Sequence, residues 1–404
     1  MRERGSSFVR SLQGRVVVCS RTSSRTHHLT ESATVASRPE PVFFQGRYRR
    51  LEKLYVGQET EVWTVADALR PERALVLKSV PGRASLSERA ARLESEYRLL
   101  SSMRHPGLAR ARDFGYDLAD DRTFLVSDRA PGRTLESQVP LGVEAAIGLV
   151  VDVCRVLSTM HARSRLHLDV KPRNIMHDPD SGRTTLLDLD LAGFPEDAAG
   201  RGTPPYASPE AMGAGPVPDA RSDVYSLGVT LYEMLTGRPA PAERLTEPLD
   251  TGDVVDAWLR ELVKDMTAPA PDDRPPAARD VIRRLRASGR RWPDESFSTR
   301  STVLSYPPLT GRRSEVKELL QAIPPTARRQ AKKPVVLVRG PSGVGKSRIV
   351  AEAAIDWRCA GIRVLRVVPE PGPVGTLQPV YAVLEQLGRL SSRSVAASSV
   401  RNTC

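Results

Sequence analysis

The chain has 404 residues, 40% of them apolar and 27% charged, which corresponds to about two or three ordinary domains and excludes fibrous and collagen-like proteins. No apolar run approaches the roughly 18 residues that a membrane-spanning helix needs, and the N-terminus lacks the apolar core of a signal peptide. We therefore expect a cytoplasmic protein without a membrane partner. The four cysteines lie far apart and form no CxxC pair, which indicates reduced thiols rather than a zinc site or a disulfide framework.

The net charge of +12 comes mainly from the N-terminus. Residues 1–50 hold ten Arg against three Glu, and residues 1–44 are rich in Ser, Thr and Arg without sustained periodicity. Such a segment buries too little apolar surface to offset the entropy lost on ordering, so we predict a disordered basic tail at 1–44. Because the excess charge belongs to this tail, it does not indicate a specific nucleic-acid partner. Residues 391–404 are polar and low in complexity, and we expect a second disordered tail there.

Residues 45–290 show two successive patterns that predict two lobes. In the first part, the β-type runs EVWTVAD and ALVLKSV alternate with turn residues, and the run SLSERAARLESEYRLLSSM then shows helical spacing. After TFLVSDRAPGRTL the pattern becomes mainly helical. The candidate helices of this larger second lobe are 142–162, 222–237, 253–267 and 276–287.

A different pattern follows a polar segment at 291–310, which contains three prolines and is predicted to be a linker. From 311 to 390 the order is helix, apolar strand (PVVLVRG), glycine-rich turn, helix, strand (IRVLRVV) and helix. This alternation predicts an α/β layer with parallel strands. Two strands are too few to complete a sheet, so we predict an incomplete domain, as a shortened or frame-shifted product would give.

The run LHLDVKPRNIM places Asp169, Lys171 and Asn174 at intervals of two and three residues. Phosphoryl transfer needs a carboxylate to orient the attacking hydroxyl, a cation on the transferred phosphate and an amide oxygen on a metal ion. Fourteen residues after Asn174, the run TTLLDLDLAGF places Asp188 at the end of a predicted apolar strand. Protein kinases use this spacing, and the chain resembles the serine/threonine protein kinase family here.

The resemblance covers about residues 47–288 in the family's order. Further motifs that carry it are ALVLKSV, GTPPYASPE, RSDVYSLGVTLYEMLTG and DDRPP. Lys171 and Thr203 resemble the serine/threonine branch rather than the tyrosine branch. The resemblance implies an α+β, bilobal protein kinase fold, with ATP and Mg²⁺ as cofactors and proteins bearing Ser or Thr hydroxyls as substrates.

The resemblance also assigns roles to individual residues. It implies that Lys78 contacts the ATP phosphates with Glu96 as its ion-pair partner, that Asp169 and Lys171 act in catalysis, and that Asn174 and Asp188 hold the metal. Structural roles are implied for three more: Asp223 braces the catalytic loop, and Glu210 pairs with Arg274. The implied ATP-binding residues besides these are Gly57, Val62, Val76, hinge residue Asp128 and Met176.

Three departures from the family pattern bear on mechanism. Only Gly57 remains of the three glycines in the phosphate-covering loop, and it fits an ATP-covering role and a plain hairpin turn equally. Leu168 replaces the arginine that in relatives contacts a phosphate on the activation segment, so activation by that phosphate is not expected. Asp190 replaces a glycine, either as a capping or turn residue or as a third carboxylate near the metal.

A second nucleotide motif lies in VVLVRGPSGVGKSRIV, between a predicted strand and a predicted helix. Its glycines let backbone N–H groups surround a phosphate, Lys346 reaches the outer phosphates, and Ser347 can hold Mg²⁺. The alternative is a glycine-rich turn with a chance lysine. With LTGRRSEVKELLQAI upstream, the segment resembles the start of AAA-like or STAND-type ATPase modules. Gly340 and Gly345 complete the motif, but no strand ending in a metal-binding Asp follows, so we do not expect hydrolysis.

The sequence therefore supports one leading hypothesis and two alternatives. The leading hypothesis is a bacterial-type serine/threonine protein kinase. The first alternative is a pseudokinase scaffold that binds ATP weakly, which the sparse glycine loop and Asp190 suggest. The second alternative is a P-loop nucleotide sensor for which the kinase-like part is a partner domain.

Overall fold

A computed structural model describes residues 17–19, 43–57, 59–198, 200–238, 249–252, 255–289, 309–324, 335–366 and 384. The chain divides into two compact units. The first consists of residues 1–83, 113–126 and 309–404, and the second of residues 84–112 and 127–308. None of the helices in the described ranges is long and apolar enough to cross a membrane.

The first unit contains most of a six-stranded sheet with the strand order β2-β3-β4-β5-β7-β6. The strands are β2 (Phe43–Phe44), β3 (Tyr48–Val56), β4 (Glu61–Asp67), β5 (Arg70–Pro81), β6 (Ala111–Asp117) and β7 (Arg122–Asp128). The predicted strands EVWTVAD and ALVLKSV are confirmed as β4 and the second half of β5. β-branched and aromatic residues favour these strands. One buried cluster forms the core of the sheet: Phe44, Tyr48, Val65, Leu75, Leu77, Phe124 and Val126.

The second unit is mainly helical. Its helices are α1 (Glu88–Ser102), α2 (Val143–His161), α3 (Ala220–Thr236), α4 (Ala257–Met266) and α5 (Ala278–Ala287). A small sheet with the order β10-β9-β8 accompanies them. Its strands are β8 (Arg133–Thr134), β9 (Ile175–Asp178) and β10 (Arg183–Leu186). The helices confirm the predicted helical pattern of this part of the chain.

Local sequence signals fix where these helices begin and end. Helix α3 begins after Asp219, whose side chain accepts the N–H of Arg221, and it ends at Gly237, whose φ of 65° is left-handed. A carboxylate cap and a C-terminal glycine satisfy backbone groups that the helix itself leaves unpaired. Helix α5 begins at Ala278 rather than at the predicted residue 276, because the preceding Pro-Pro pair disfavours helical geometry.

The C-terminal part of the first unit contains helices α6 (Arg313–Ala322) and α7 (Lys346–Cys359) and strand β11 (Val364–Arg366). These elements share their own apolar core. Its buried members are Leu319, Ile349, Ala353, Ala354, Trp357, Ile362 and Val364. Both described helices of this part were predicted from their apolar spacing.

The predicted parallel layer of this C-terminal part is wrong for the described residues. Residues 335–340 of PVVLVRG form no strand, and Val335 is 94% exposed. Strand β11 pairs antiparallel with β1 (Val17–Cys19). Because residues 335–340 form no strand, they offer β11 no partner, and β11 pairs instead with an apolar segment from the N-terminus.

Two short strands, β1 and β2, fall within the segment 1–44 for which the sequence predicted a disordered tail. Their sequences, VVC and FF, are apolar and suited to strands once a sheet edge is available. The rest of that predicted tail, the predicted linker up to residue 308 and the tail at 391–404 lie outside the described residues.

Candidate active site

Asp169 lies at the centre of a hydrogen-bonded cluster between α2 and β9. Lys171 Nζ donates to Asp169 Oδ1 at 2.9 Å and to Thr203 Oγ1 at 2.9 Å. Thr203 Oγ1 donates in turn to Asp169 Oδ1 at 2.6 Å. Asn174 Nδ2 donates to the carbonyl and to Oδ2 of Asp169, both at 2.8 Å. The structure therefore brings together the three residues that the spacing predicted, and Thr203 joins them.

The backbone of this loop is held by a wholly buried carboxylate on α3. Asp223 accepts the N–H of His167 at 2.9 Å and that of Leu168 at 2.7 Å. Leu168 has a φ of 64°, a left-handed conformation that is costly for a side chain of its size. Two N–H bonds to one carboxylate offset that cost, which confirms the bracing role predicted for Asp223.

His161, the last residue of α2, is a partner of Asp223 that the sequence did not reveal. His161 Nε2 lies 2.8 Å from Asp223 Oδ2. Burial alone raises the pKa of Asp223, but the hydrogen bond and charge of His161 and the groups of His167 outweigh it, so the carboxyl keeps a pKa below its usual value. Asp223 is thus held ionised at neutral pH. Its partner lies 62 residues away, and neither residue stands in a short motif with the other.

His167 is buried and positions Asp169 through the backbone. Its Nδ1 accepts the N–H of Asp169 at 3.2 Å, and its Nε2 faces the carbonyl of Leu187 at 3.2 Å. These two contacts require the proton on Nε2. Burial lowers the pKa of His167, against the opposing charges of nearby carboxylates, so the ring is neutral and fixes the direction of the catalytic loop.

Three carboxylates in the second unit form an oxygen-rich cluster that fits a divalent cation. Carboxylate oxygens of Glu96, Asp188 and Asp190 lie within 4.8 Å of one another, and Asp188 has a φ of 62°. Glu96, on α1, also accepts the N–H of Leu189 at 3.3 Å. Because both N–H groups of Asn174 Nδ2 are directed at Asp169, its oxygen is the atom left to contact a metal. Hard oxygen donors of this kind suit Mg²⁺.

Asp128 lies at the end of β7, where the family places the hinge. Its N–H donates to the carbonyl of Arg110 at 3.0 Å. Arg112 donates two hydrogen bonds to the carboxylate of Asp128, from Nε to Oδ1 at 2.6 Å and from Nη2 to Oδ2 at 2.5 Å. Arg112 was not singled out from the sequence. Met176, another predicted residue of this unit, lies on β9 opposite Thr185.

The first unit holds the remaining predicted ATP-binding residues. Lys78 lies on β5 directly opposite Val62 on β4, and Val76 lies two residues before Lys78. The ion pair of Lys78 with Glu96 stays a prediction. Gly57 closes a tight hairpin, in which its N–H donates to the carbonyl of Thr60 at 2.8 Å.

Glu210 and Arg274 form the predicted buried ion pair. Arg274 Nη1 donates to Glu210 Oε1 at 2.7 Å, and Nη2 donates to Oε2 at 3.1 Å. Ser222 Oγ donates to the same Oε1 at 2.7 Å. The pair joins the segment after the GTPPY motif to the DDRPP motif and is a structural element of the second unit.

The glycine-rich motif of the C-terminal segment forms a loop that leads into α7. Gly340 and Gly345 have φ values of 157° and 95°, which side-chain-bearing residues rarely adopt. Lys346 opens the helix, and its Nζ donates to the carbonyls of Gly340 at 2.8 Å and Pro341 at 2.7 Å. Ser347 follows on the first turn. The predicted loop and helix are present, whereas the predicted strand before them is not.

The chain matches two family models and several curated bacterial kinases. A model of the protein kinase domain matches residues 48–290, and a model of the AAA ATPase domain matches residues 308–398. The chain is 30% identical over 255 residues to the serine/threonine-protein kinase PknA of Mycobacterium tuberculosis. This match covers 60% of this chain and 56% of PknA. It is 32% identical over 218 residues to the serine/threonine-protein kinase pkn2 of Myxococcus xanthus, covering 50% of this chain and 25% of that protein. The chain thus spans about half the length, or less, of these curated relatives.

Solved structures give the same picture of the fold. The crystal structure of the Mycobacterium tuberculosis PknI kinase domain is 25% identical, with a TM-score of 0.50, and the match covers 62% of this chain and 99% of that domain. The kinase PK-1 of Cydia pomonella granulovirus is 19% identical, with a TM-score of 0.50 over 59% of this chain. The second likeness concerns the fold alone.

Proposed function

This chain belongs to the protein kinase family, and we propose that it transfers the γ-phosphate of ATP to serine and threonine hydroxyls of protein substrates in bacterial signalling. The observation that carries the proposal is the cluster in which Lys171, Asn174 and Thr203 all bond to Asp169. Three donors fix both oxygens of this carboxylate in place. A hydroxyl that approaches it can donate its proton and present its oxygen to the phosphate.

Two lysines are proposed to stabilise the charge of the transferred group. Lys171 already lies 2.8 Å from Asp169 Oδ2, so it is placed beside the oxygen that attacks. A compact ammonium group suits a phosphate oxygen as a point charge. Lys78, on β5 of the first unit, is proposed to contact the other phosphates of ATP, as its position in ALVLKSV implies.

The carboxylates and the amide of the second unit are proposed to hold Mg²⁺. Asn174 would contribute its side-chain oxygen, and Asp188 its carboxylate, with Asp190 close to both Asp188 and Glu96. When bound, Mg²⁺ neutralises charge on the phosphates.

The activation segment is proposed to be ordered without phosphorylation. Leu168 is buried in an apolar cluster with Leu166, Ala198 and Ala211, so packing supplies the link to the segment that an arginine and a phosphate supply elsewhere. Leu166 also pairs with Gly193 by two backbone hydrogen bonds of 2.9 and 3.1 Å. The segment between Asp188 and Gly202 contains no Ser, Thr or Tyr. Control would then come through the flanking segments.

An assay of phosphate transfer from Mg·ATP tests the proposal. We compare the full chain with Asp169→Asn, using autophosphorylation and a dephosphorylated generic protein substrate. Asn can still accept the bonds of Lys171 and Thr203, so the loop should keep its shape while the basic carboxylate is lost. We expect a loss of about 10²- to 10⁴-fold in rate. Asp180→Asn, the same change on an exposed loop residue, should keep full activity. Equal incorporation by Asp169→Asn and the unmodified chain would reject the proposal.

A pseudokinase is the second candidate, and the glycine loop favours it. Tyr55 occupies a family glycine position, and its hydroxyl lies only 2.9 Å from where a side chain on Gly57 would begin. A bulky ring against this turn would weaken the contact of the glycine loop with the phosphates of ATP. Binding of Mg·ATP measured by calorimetry, with transfer absent in the same preparation, would establish this candidate.

The P-loop is proposed to bind nucleotide. Its lysine now bonds to loop carbonyls, which a phosphate group would replace as the partner. Lys346→Ala should remove one of two nucleotide sites in the full chain, and unchanged stoichiometry would contradict this role. We also propose that the protein acts in the cytoplasm, where ATP is available and a thiol such as the buried Cys154 stays reduced.

A further inference from the structure

Two edges of the first unit's sheet meet at a polar seam. Gln45, which follows β2, donates its N–H to Asp117 Oδ2 at 2.5 Å and its Nε2 to the carbonyl of Tyr116 at 3.0 Å. The hydroxyl of Tyr48 donates to Asp113 Oδ2 at 2.7 Å. Asp113 and Asp117 both belong to β6, the opposite edge strand. We call this region the seam and define it by Gln45, Arg47, Tyr48, Asp67, Asp113 and Asp117.

The seam by itself carries more buried negative charge than positive charge. Asp67, Asp113 and Asp117 are 2%, 7% and 4% exposed. Arg47 bonds to Asp67 at 2.8 and 2.7 Å and to Asp113 at 2.8 Å, and it is the single guanidinium within the seam as defined. Hydrogen bonds satisfy the carboxylate oxygens, but buried carboxylates without opposite charge remain costly.

Two arginines from the C-terminal part of the first unit supply the missing charge. Arg358 Nε donates to Asp113 Oδ1 at 2.9 Å, and Arg363 Nη2 donates to the carbonyl of Gln45 at 2.9 Å. Burial lowers the pKa of Arg363, while the charges of Asp113 and Asp117 act in the opposite direction. With Arg47, three guanidinium groups then face three carboxylates, and Arg363 touches one edge of the seam while Arg358 touches the other.

The segment that carries these arginines is anchored in its own core. Arg358 follows Trp357, which is almost wholly buried and donates its Nε1–H to the carbonyl of Ile323 at 3.1 Å. Beyond Arg363, Leu365 packs on Leu69 of the β4–β5 turn. The arginines are therefore presented by a packed domain rather than by a loose tail.

We propose that residues 358–365 are an intramolecular clamp that closes the seam of the kinase-lobe sheet through Arg358 and Arg363. The acidic seam thus binds a segment of the same chain, residues 358–365, and not a separate protein. The same sheet carries Lys78, and Arg358 is the penultimate residue of α7, the helix that begins at the glycine-rich loop. The clamp thus joins the two nucleotide motifs of the chain through one helix and one sheet. It does not depend on phosphoryl transfer.

Amide hydrogen exchange on the full chain tests the clamp. In Arg358→Ala/Arg363→Ala, amides of residues 45–48 and 113–117 should exchange about tenfold faster or more, since the variant loses two charge-assisted hydrogen bonds to the seam. The matched control, Arg313→Ala/Lys317→Ala, removes two positive charges from α6 and should leave these amides at the rate of the unmodified chain. Unchanged exchange in the first variant, or equal acceleration in both, would overturn the proposal.

A charge-conserving variant guards against simple misfolding. Arg358→Lys/Arg363→Lys keeps both charges but cannot reproduce the guanidinium geometry. We expect its seam amides to exchange at rates between those of the unmodified chain and the alanine variant, with α7 amides still protected. If α7 loses protection in the alanine variant, the lysine variant decides: faster seam exchange with a protected α7 supports the clamp, and unchanged seam exchange refutes it.

Discussion

Replacing Glu210 by alanine should destabilise the second unit, because it leaves Arg274 buried without a counter-charge. The two side chains are 2% and 0% exposed. All five N–H groups of Arg274 are engaged: Nε on the carbonyl of Ala268, Nη1 on Glu210 and the carbonyl of Arg221, and Nη2 on Glu210 and the carbonyl of Pro269. The substitution removes two of these acceptors together with the only carboxylate that bonds to Arg274 among the contacts of the described residues.

The expected magnitude follows from the burial of the pair. Removing one partner of a buried ion pair costs about 3–5 kcal/mol, because the remaining charge has neither water nor an opposite charge beside it. In a domain of about 150–250 residues, each kcal/mol lowers the melting temperature by roughly 2–4 °C. The melting temperature should therefore fall by roughly 6–20 °C. Ser222 loses its acceptor on Glu210 as well, which acts in the same direction.

Circular dichroism melting of the full chain and hydrogen exchange of the amides in α3 and α5 measure the effect. The matched control is Glu261→Ala, since Glu261 is 67% exposed and lies 3.6 Å from Lys264. Such a surface pair contributes about 0–1 kcal/mol, so the control should melt close to the unmodified chain. If Glu210→Ala melts like the control, the pair does not carry the stability assigned to it here.

Three further predictions concern pH, nucleotide and control. Burial raises the pKa of Glu210, but the hydrogen bonds and charge of Arg274 and the hydrogen bond of Ser222 outweigh burial and hold the pKa below the usual value of a glutamate. The stability that Glu210 contributes is therefore complete above about pH 4.5, the pKa in the unfolded chain, and is lost as the pH falls through the lower pKa of the folded protein. The difference in unfolding free energy between the unmodified chain and Glu210→Ala should therefore shrink in acid. A difference that stays constant with pH would show that Glu210 does not act through its charge. Lys78→Met should lower transfer by roughly 10²- to 10³-fold with little change in melting temperature, whereas unchanged turnover would remove its phosphate role. Phosphatase-treated protein should keep its transfer rate, and a large loss restored by autophosphorylation between Asp188 and Thr203 would show that Leu168 does not replace phosphate control.

The sequence determined the parts of this protein whose chemistry is local. Asp169, Lys171 and Asn174 lie within six residues, so their spacing alone indicated a shared phosphoryl-transfer role, and the loop brings them together. The helices between residues 88 and 287 and the strands in EVWTVAD and ALVLKSV followed their apolar periodicity, because burial on one face is a property of neighbouring residues.

Contacts between distant segments were recoverable only where a known family order supplied the pairing. Glu210 with Arg274 and Asp223 with the catalytic loop were predicted from that order, across 64 and 56 residues. His161 beside Asp223 had no such guide. A histidine at the end of an apolar helix is equally compatible with many environments, so its role depended on where α3 lies.

The C-terminal segment shows most clearly what the tertiary structure decided. The glycine-rich loop and α7 followed from their local pattern, but PVVLVRG was predicted as a strand and is not one at 335–340. A strand needs a partner edge to satisfy its backbone groups, and the sequence does not state which edge is available. The partner of β11 is β1, and Arg358 meets Asp113 across 245 residues. Both pairings depend on long-range packing, in which any of the chain's many arginines could have met this carboxylate, and only the fold selects which one does.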